Sequence, residues 1–297
     1  MKIAIAGGSG FIGTEITKKL LQLNKKIIIL DNKKPTISNI EFIKIDLKNE
    51  ITDDEIFKNV DAIINLSGVN IFGRWNKKLK KEIYDSRVIT TRNLVKAVNN
   101  FENNLKVFIS ASAVGFYGDK KEEEVYENSE PGNDFLSKVC LDWESEVKNI
   151  STSIRWVILR TAPVLAKDKG FLNKLLSFYK LKINPIFGDG NQWLPWIHKE
   201  DIARIYIFAL ENEKLSGIYN ACSLQQIRYK DFAIALSKIL KSKINLRLKD
   251  WILKLFLGEL STIILSSQRV SCEKLIKEKY NFKFPTIKEA LEDLFSK

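Results

Sequence analysis

Apolar residues in the first half of the chain fall into short blocks separated by polar or amphipathic segments of helix length. Lys2 to Ala6 is an apolar run of strand length without alternation, the pattern of a strand buried on both faces of a parallel sheet. Lys26 to Asp31 repeats it, Ile40 to Leu47 alternates, and Asp61 to Gly68, Leu105 to Ser112 and Arg155 to Thr161 complete six predicted strands. Between them lie a first helix from Phe11, a short one after the capping-box sequence Thr52-Asp53-Asp54-Glu55, and a long one from Asn76 to Asn100. Strand and helix in alternation predict an α/β fold, a doubly wound parallel sheet of Rossmann type. Ligands then gather at the carboxyl ends of the strands.

Beyond Pro163 the rhythm changes. Gly188-Asp189-Gly190-Asn191 is a turn cluster, and Gln192 to His198 is aromatic for a loop. A helix from Asp201 to Leu210, a short strand from Gly217 to Cys222, a helix from Tyr229 to Leu240 and a last helix capped at Thr286 follow. The predicted organisation is a dinucleotide-binding unit over 1–165, to which 195–222 returns. A smaller, interleaved substrate lobe spans 166–194 and 223–297.

The first strand–helix junction carries the most specific chemistry. Gly7, Gly10 and Gly13 punctuate it, suited to a tight turn, a close backbone approach to pyrophosphate and close helix–strand packing. The N–H groups of Phe11, Ile12 and Gly13 would then face phosphate oxygens at the helix N-terminus. The second strand ends on Asp31, a carboxylate that can accept both ribose hydroxyls and repels a 2′-phosphate, so the residue reads as NAD rather than NADP, with Lys33 and Lys34 pulling the other way. Asp46 and Leu47 end the third strand near the expected adenine. Leu66, Ser67 and Gly68 end the fourth, beside the cofactor ribose.

The formal net charge of +12 invites a nucleic-acid reading, but only nine of 48 basic residues are arginine, and the lysines are scattered along predicted helices and loops. No nucleic-acid partner is expected. Three separated cysteines and one histidine give neither a disulfide framework nor a metal site, and fit a reducing, cytoplasmic setting. The start of the chain reads as a strand and not as a signal peptide. The most apolar late segment, Trp251 to Ser266, is interrupted by Lys254 and Glu259, which argues against a membrane span or membrane partner. Oligomeric state is left open.

The stretches Gly7 to Gly13, Asn65 to Asn70 (NLSGVN), Asp85-Ser86-Arg87, Ser110 to Gly118 (SASAVGFYG), Asp134 to Glu144, Leu159 to Leu165, Gly188 to Asp201, Gly258-Glu259 and Ser267 to Val270 together carry a resemblance over nearly the whole length. The chain resembles the extended short-chain dehydrogenase/reductase superfamily, within it an epimerase-like branch labelled sugar-nucleotide epimerase or cell-division inhibitor. Cys272 departs from the branch's usual Pro, Tyr280-Asn281 from its Gly-Phe. Asp31 stands where relatives often carry an arginine suited to NADP.

The superfamily's catalytic Tyr and Lys, four positions apart on one helix, fall on Leu136 and Cys140 in this alignment, so the dyad is missing, as it is throughout the branch. Tyr117 and Lys121 repeat the spacing, but Gly118 lies between them and marks a loop. The resemblance makes Ser112 the candidate that polarises a carbonyl. Tyr117 is the candidate that reaches substrate from its loop, and Arg160 and Pro163 border the nicotinamide. Asn70, Arg87, Trp193, Trp196 and His198 are the candidate substrate contacts. For Arg87 the other reading is an internal ion pair, for the tryptophans packing between lobes, and for His198 a fixed structural hydrogen bond. The expected function is NAD(P)-dependent oxidoreductase or epimerase chemistry on a small polar substrate, nucleotide-linked substrates included. The alternative is a non-catalytic dinucleotide-binding regulator that acts through a partner.

Overall fold

A computed structural model describes residues 1–296. Its centre is a seven-stranded, all-parallel sheet of β1 (Lys2–Ala6), β2 (Lys26–Asp31), β3 (Glu41–Lys44), β4 (Ala62–Asn65), β5 (Val107–Ala113), β6 (Arg155–Thr161) and β8 (Gly217–Ala221). The spatial order is β8-β6-β5-β4-β1-β2-β3, a Rossmann-type arrangement. The short strand expected at 217–222 forms as Gly217–Ala221 and joins the six as the seventh strand of the sheet, pairing with β6, Tyr219 opposite Leu159.

The apolar strands read as continuous runs because both sheet faces are covered. Ile3, Ile5, Ile29, Ile64 and Ile109 point into one core, which α1 (Phe11–Gln22) and α6 (Lys199–Glu211) cover. Ala4, Ala6, Ile28, Ile63 and Phe108 point into the other, covered by α3 (Thr90–Asn100) and α4 (Phe135–Val147). The segment predicted as one long helix is α2 (Lys77–Tyr84), capped by Asn76, joined to α3 through a single π turn at Asp85–Ile89. The predicted capping box at Thr52 is instead a short 3-10 turn capped by Asp53, whose carboxylate accepts the Glu55 amide at 3.1 Å.

A third core, from Leu165 to Leu294, holds the C-terminal half together. It gathers α5 (Gly170–Lys180), α7 (Tyr229–Leu240), α8 (Asp250–Leu257), α9 (Leu260–Leu265) and α11 (Ile287–Phe295), with the short α10 (Glu273–Lys277) packed on β8. A two-stranded parallel ribbon pairs β7 (Ile183–Phe187) with β9 (Ile244–Leu248). Thr286 caps α11 through a complete capping box with Glu289, as expected.

Candidate active site

At the end of β1 the chain turns through Gly7, held in the left-handed region at φ +71°. A Cβ there would lie 2.9 Å from the Leu66 carbonyl carbon and the Ser67 nitrogen, so the glycine lets the ends of β1 and β4 close on each other. At Gly13 a Cβ would stand 2.6–2.8 Å from the Gly8 backbone, which is what allows α1 to press on the turn. Gly10 is exposed and caps α1 with its backbone alone.

No side chain caps the first turn of α1, and no acid lies within it. The amides of Phe11, Ile12 and Gly13 therefore open a helix dipole onto an uncommitted face. Beside it the buried Ser67 hydroxyl has no hydrogen-bond partner among the described residues. An orphan hydroxyl and uncapped amides at the end of a parallel sheet suit the ribose and phosphates of a dinucleotide.

Asp31 sits at the neighbouring junction. Its carboxylate accepts the Ser9 and Lys33 amides, each at 3.1 Å, and so ties the glycine turn to the end of β2. Asp46 is exposed and closes a turn on Lys48. Leu47 packs its side chain in the core under the sheet, which leaves its backbone for a ligand. Replacing Gly7 with alanine imposes both strain and the clash with Leu66–Ser67, of about 1–3 kcal/mol. Dinucleotide affinity is expected to fall about tenfold or more in a fluorescence titration, and unchanged affinity would remove Gly7 from the cradle.

The residues expected to do chemistry at the end of β5 are differently employed. Ser112 is 3% exposed and donates to Glu144 Oε1 at 2.6 Å. Glu144, on α4, also receives Arg160 Nε and Nη2, both at 2.8 Å, in a fully buried bidentate pair. Arg160 Nη1 donates to the Tyr117 hydroxyl at 2.9 Å, and that hydroxyl donates to Asn220 Oδ1 at 2.6 Å. Tyr117 is 0% exposed, and burial pushes its phenol up to about 12. Neither Ser112 nor Tyr117 therefore offers a free hydroxyl to substrate, and the Arg160 guanidinium is buried and committed to Glu144 and Tyr117. These are corrections with one cause: Glu144 neutralises a buried arginine, and the Tyr117 hydroxyl and the Glu127 carbonyl complete that arginine's hydrogen bonds.

On α4, Cys140 is buried and its thiol is pushed up to about 12 by burial, so it offers no thiolate. Leu136 lies in the same helix, its Cβ close to Gly115. Lys121 is in an exposed turn at φ +51°, outside the short 3-10 turn that ends at Tyr117, so the two share no helix face.

The substrate candidates divide. Asn70 is exposed, its side chain accepting the Phe72 amide. Arg87 rises from the π turn, a distortion common at functional sites. It donates to the Ile83 carbonyl at 3.2 Å and to the Val69 carbonyl at 3.0 Å, and its guanidinium lies where a Cβ on Gly68 would touch it. Among the described residues it pairs with no carboxylate, so the internal ion pair is not formed. Pro163 is half-buried, its carbonyl accepting the Ile197 amide.

Trp196 is buried in the third core with its indole N–H on the Gln225 carbonyl, and Trp193 is held by Glu122 and stacked by the Arg228 and Arg269 guanidiniums. Both pack the two halves together and do not line an open pocket. His198 caps α6, its Nδ1 accepting the Glu200 amide at 3.2 Å while the ring packs on Phe284. The fixed structural hydrogen bond is the role observed, and a substrate contact is precluded by its burial.

A cleft of about 680 Å³ opens where Tyr117, Gly132 and Asp134 face Asp250, Lys254 and Leu265. Trp75 and Phe135 meet edge-to-face at 5.4 Å, and Lys80 stands over both rings while pairing with Glu259. Sequence reading missed Glu144, Asn220, Trp75, Phe135 and Lys80 as parts of this region. Their partners lie on other elements, and no local spacing marks them.

Residues 3–222 match the NAD dependent epimerase/dehydratase family, and residues 250–294 match a domain of unknown function, DUF1731. The epimerase family protein YfhF of Bacillus subtilis is 32% identical, the match covering 100% of this chain and 98% of YfhF. A chloroplastic SDR39U1 homolog of Arabidopsis thaliana is 31% identical over 98% of this chain and 86% of its own. Among solved structures, human epimerase family protein SDR39U1 (isoform 2) with NADPH superposes at a TM-score of 0.89, with 26% identity and 99% of both chains covered. UDP-glucuronic acid 4-epimerase of Bacillus cereus, at 22% identity and a TM-score of 0.80 over 99% of both chains, shares the fold. Family match, sheet order and glycine cradle agree: the chain belongs to the NAD dependent epimerase/dehydratase family.

Proposed function

We propose that the protein is an NAD(P)-dependent oxidoreductase or epimerase-type enzyme for a small, polar, anionic substrate. The observation that carries this is Arg87, an arginine without a carboxylate partner standing against Gly68 beside the uncapped cradle. Gly7, Gly10 and Gly13 shape the turn, the amides of Phe11, Ile12 and Gly13 take the phosphates, and Ser67 satisfies its hydroxyl on the cofactor. A bound nicotinamide would accept or supply hydride. Arg87 then orients the substrate by a carboxylate or phosphate group, with Asn70 at the rim. With leucine and cysteine where the superfamily has its dyad, the proton is exchanged with water in the cleft.

Asp31 supports NAD as the preferred cofactor, since its carboxylate would meet a 2′-phosphate at short range. Titrating the apo-protein with NADH and with NADPH, read by energy transfer from its six tryptophans, tests this. Tighter NADH binding is expected, by about tenfold, with the preference lost in Asp31→Ala. A preference for NADPH overturns the role of Asp31. Binding of neither overturns the cofactor.

Arg87→Leu is expected to leave NADH affinity unchanged and to raise KM for an anionic substrate about tenfold, with a smaller effect on kcat. A screen of nucleotide-linked sugars and simple hydroxy acids supplies that substrate. An equal loss for neutral and anionic substrates would refute the assignment.

A further inference from the structure

The segment Trp251 to Ser266 was set apart in the sequence as the most apolar late stretch, and the function proposed above does not use its outer face. In the structure it begins with α8, where Trp251, Leu255 and Phe256 are 63%, 72% and 77% exposed. Trp251 and Leu255, four positions apart, share one face of the helix, and Phe256 is exposed further round it, between Leu255 and the buried Leu253. The strand leading into α8 is β9. It pairs only with β7, and it too exposes Ile244 and Leu246. Lys241 to Phe256 is thus exposed over most of its length, with Leu253 turned inward.

Its charge is one-sided. Lys241, Lys243, Arg247, Lys249 and Lys254 stand against the single acid Asp250. The ribbon's partner strand adds Lys180 and Lys182 at its start, where the Lys182 carbonyl accepts the Lys243 and Ile244 amides. The exposed apolar residues are therefore interspersed along the chain with cations, while Arg247 turns its guanidinium to the Gly188 carbonyl.

A second copy of the chain is a poor occupant. Antiparallel self-pairing of β9 about Leu246 would set Lys243 against Lys249 twice, and like charges directly opposed across a strand pair repel. An anionic surface meets both features. The exposed indole, leucine and phenylalanine of α8 would enter the headgroup–acyl boundary, while the neighbouring lysines meet lipid phosphates.

We propose that the strip Lys241–Phe256 docks the protein on the surface of an anionic lipid bilayer, with α8 lying in the interface. This is surface docking: no helix among the described residues is long and apolar enough to cross a membrane. Because α8 also borders the cleft through Asp250 and Lys254, docking would bring the cleft to the bilayer surface.

The test is co-sedimentation of the full chain with vesicles of phosphatidylcholine alone or mixed with phosphatidylglycerol. Binding is expected only to the mixed vesicles, falling about tenfold or more at about 0.5 M salt. A comparable loss is expected in Leu255→Ser/Phe256→Ser, and separately in Lys241→Glu/Lys243→Glu/Lys249→Glu. Retained NADH or NADPH binding, or an unchanged melting temperature, establishes that each variant is folded. Failure to bind mixed vesicles overturns the proposal. So does binding untouched by either variant, or binding of an acidic polypeptide such as polyglutamate without binding of vesicles. None of these outcomes bears on the cofactor or on Arg87.

Discussion

Glu144→Ala is expected to cost about 3–5 kcal/mol of folding stability, more than any other single change at the site. The carboxylate neutralises Arg160 through two hydrogen bonds of 2.8 Å and receives the Ser112 hydroxyl at 2.6 Å, all in a region closed to solvent. Removing it leaves a guanidinium buried with only the Tyr117 hydroxyl and the Glu127 carbonyl to face. Ser112→Ala deletes one hydrogen bond to a charged acceptor, and should cost about 1.5–3 kcal/mol. The double change Glu144→Leu/Arg160→Met removes both charges together and should recover much of the loss, short of full recovery because Tyr117 and Glu127 lose a donor. Urea denaturation of the three variants distinguishes these cases. A loss below about 1 kcal/mol in Glu144→Ala would mean that water reaches Arg160 and that the site is open where the structure closes it.

Acid should unfold the protein through His198 before most of its carboxylates titrate. Burial holds this imidazole down to about 4, against an ordinary value of 6.5, even with Asp293 3.4 Å from Nε2. Its Nδ1 accepts the Glu200 amide, so the neutral ring with its proton on Nε2 is the form that caps α6 and faces the last helix. Between pH 6.5 and about 4 the unfolded chain binds a proton at this residue and the folded chain does not, so stability rises with pH across that window. The contribution is fully present above pH 6.5 and is lost as pH falls toward 4, in total about 3 kcal/mol for a ring this buried. His198→Asn keeps a side-chain oxygen for the cap and removes the titration. Measured by denaturant melts at pH 7 and pH 4.5, wild type should lose roughly 2–3 kcal/mol more than the variant. Parallel losses in the two proteins would place the acid sensitivity elsewhere.

The two predictions touch residues that sequence alone treats very differently. Arg160 and Ser112 carry recognisable family positions, and from these a place near the cofactor follows. Nothing local to either says that Glu144, on a helix between them, claims both. That pairing needs β5, β6 and α4 to meet, and it is decided by the cost of burying an arginine and not by any spacing. His198 shows the opposite case. Its aromatic setting before a helix already favours a structural role, and the structure supplies that role as a helix cap.

What the sequence determined by itself is the frame. Unalternated apolar runs demand a sheet buried on both faces, the helices between them demand parallel strands, and the glycines fix where the first helix may approach. These are local requirements, satisfied within a dozen residues. Tertiary structure decided what depends on distant partners: which strand Gly217–Ala221 pairs with, the saturated hydroxyls of Ser112 and Tyr117, and the unpaired guanidinium of Arg87. It also left Trp251, Leu255 and Phe256 exposed in a lysine-rich stretch whose charge is already contiguous in the sequence. A side chain's chemistry is written in the sequence. Whether its hydrogen bonds and charge remain available to a ligand depends on what the fold places against it.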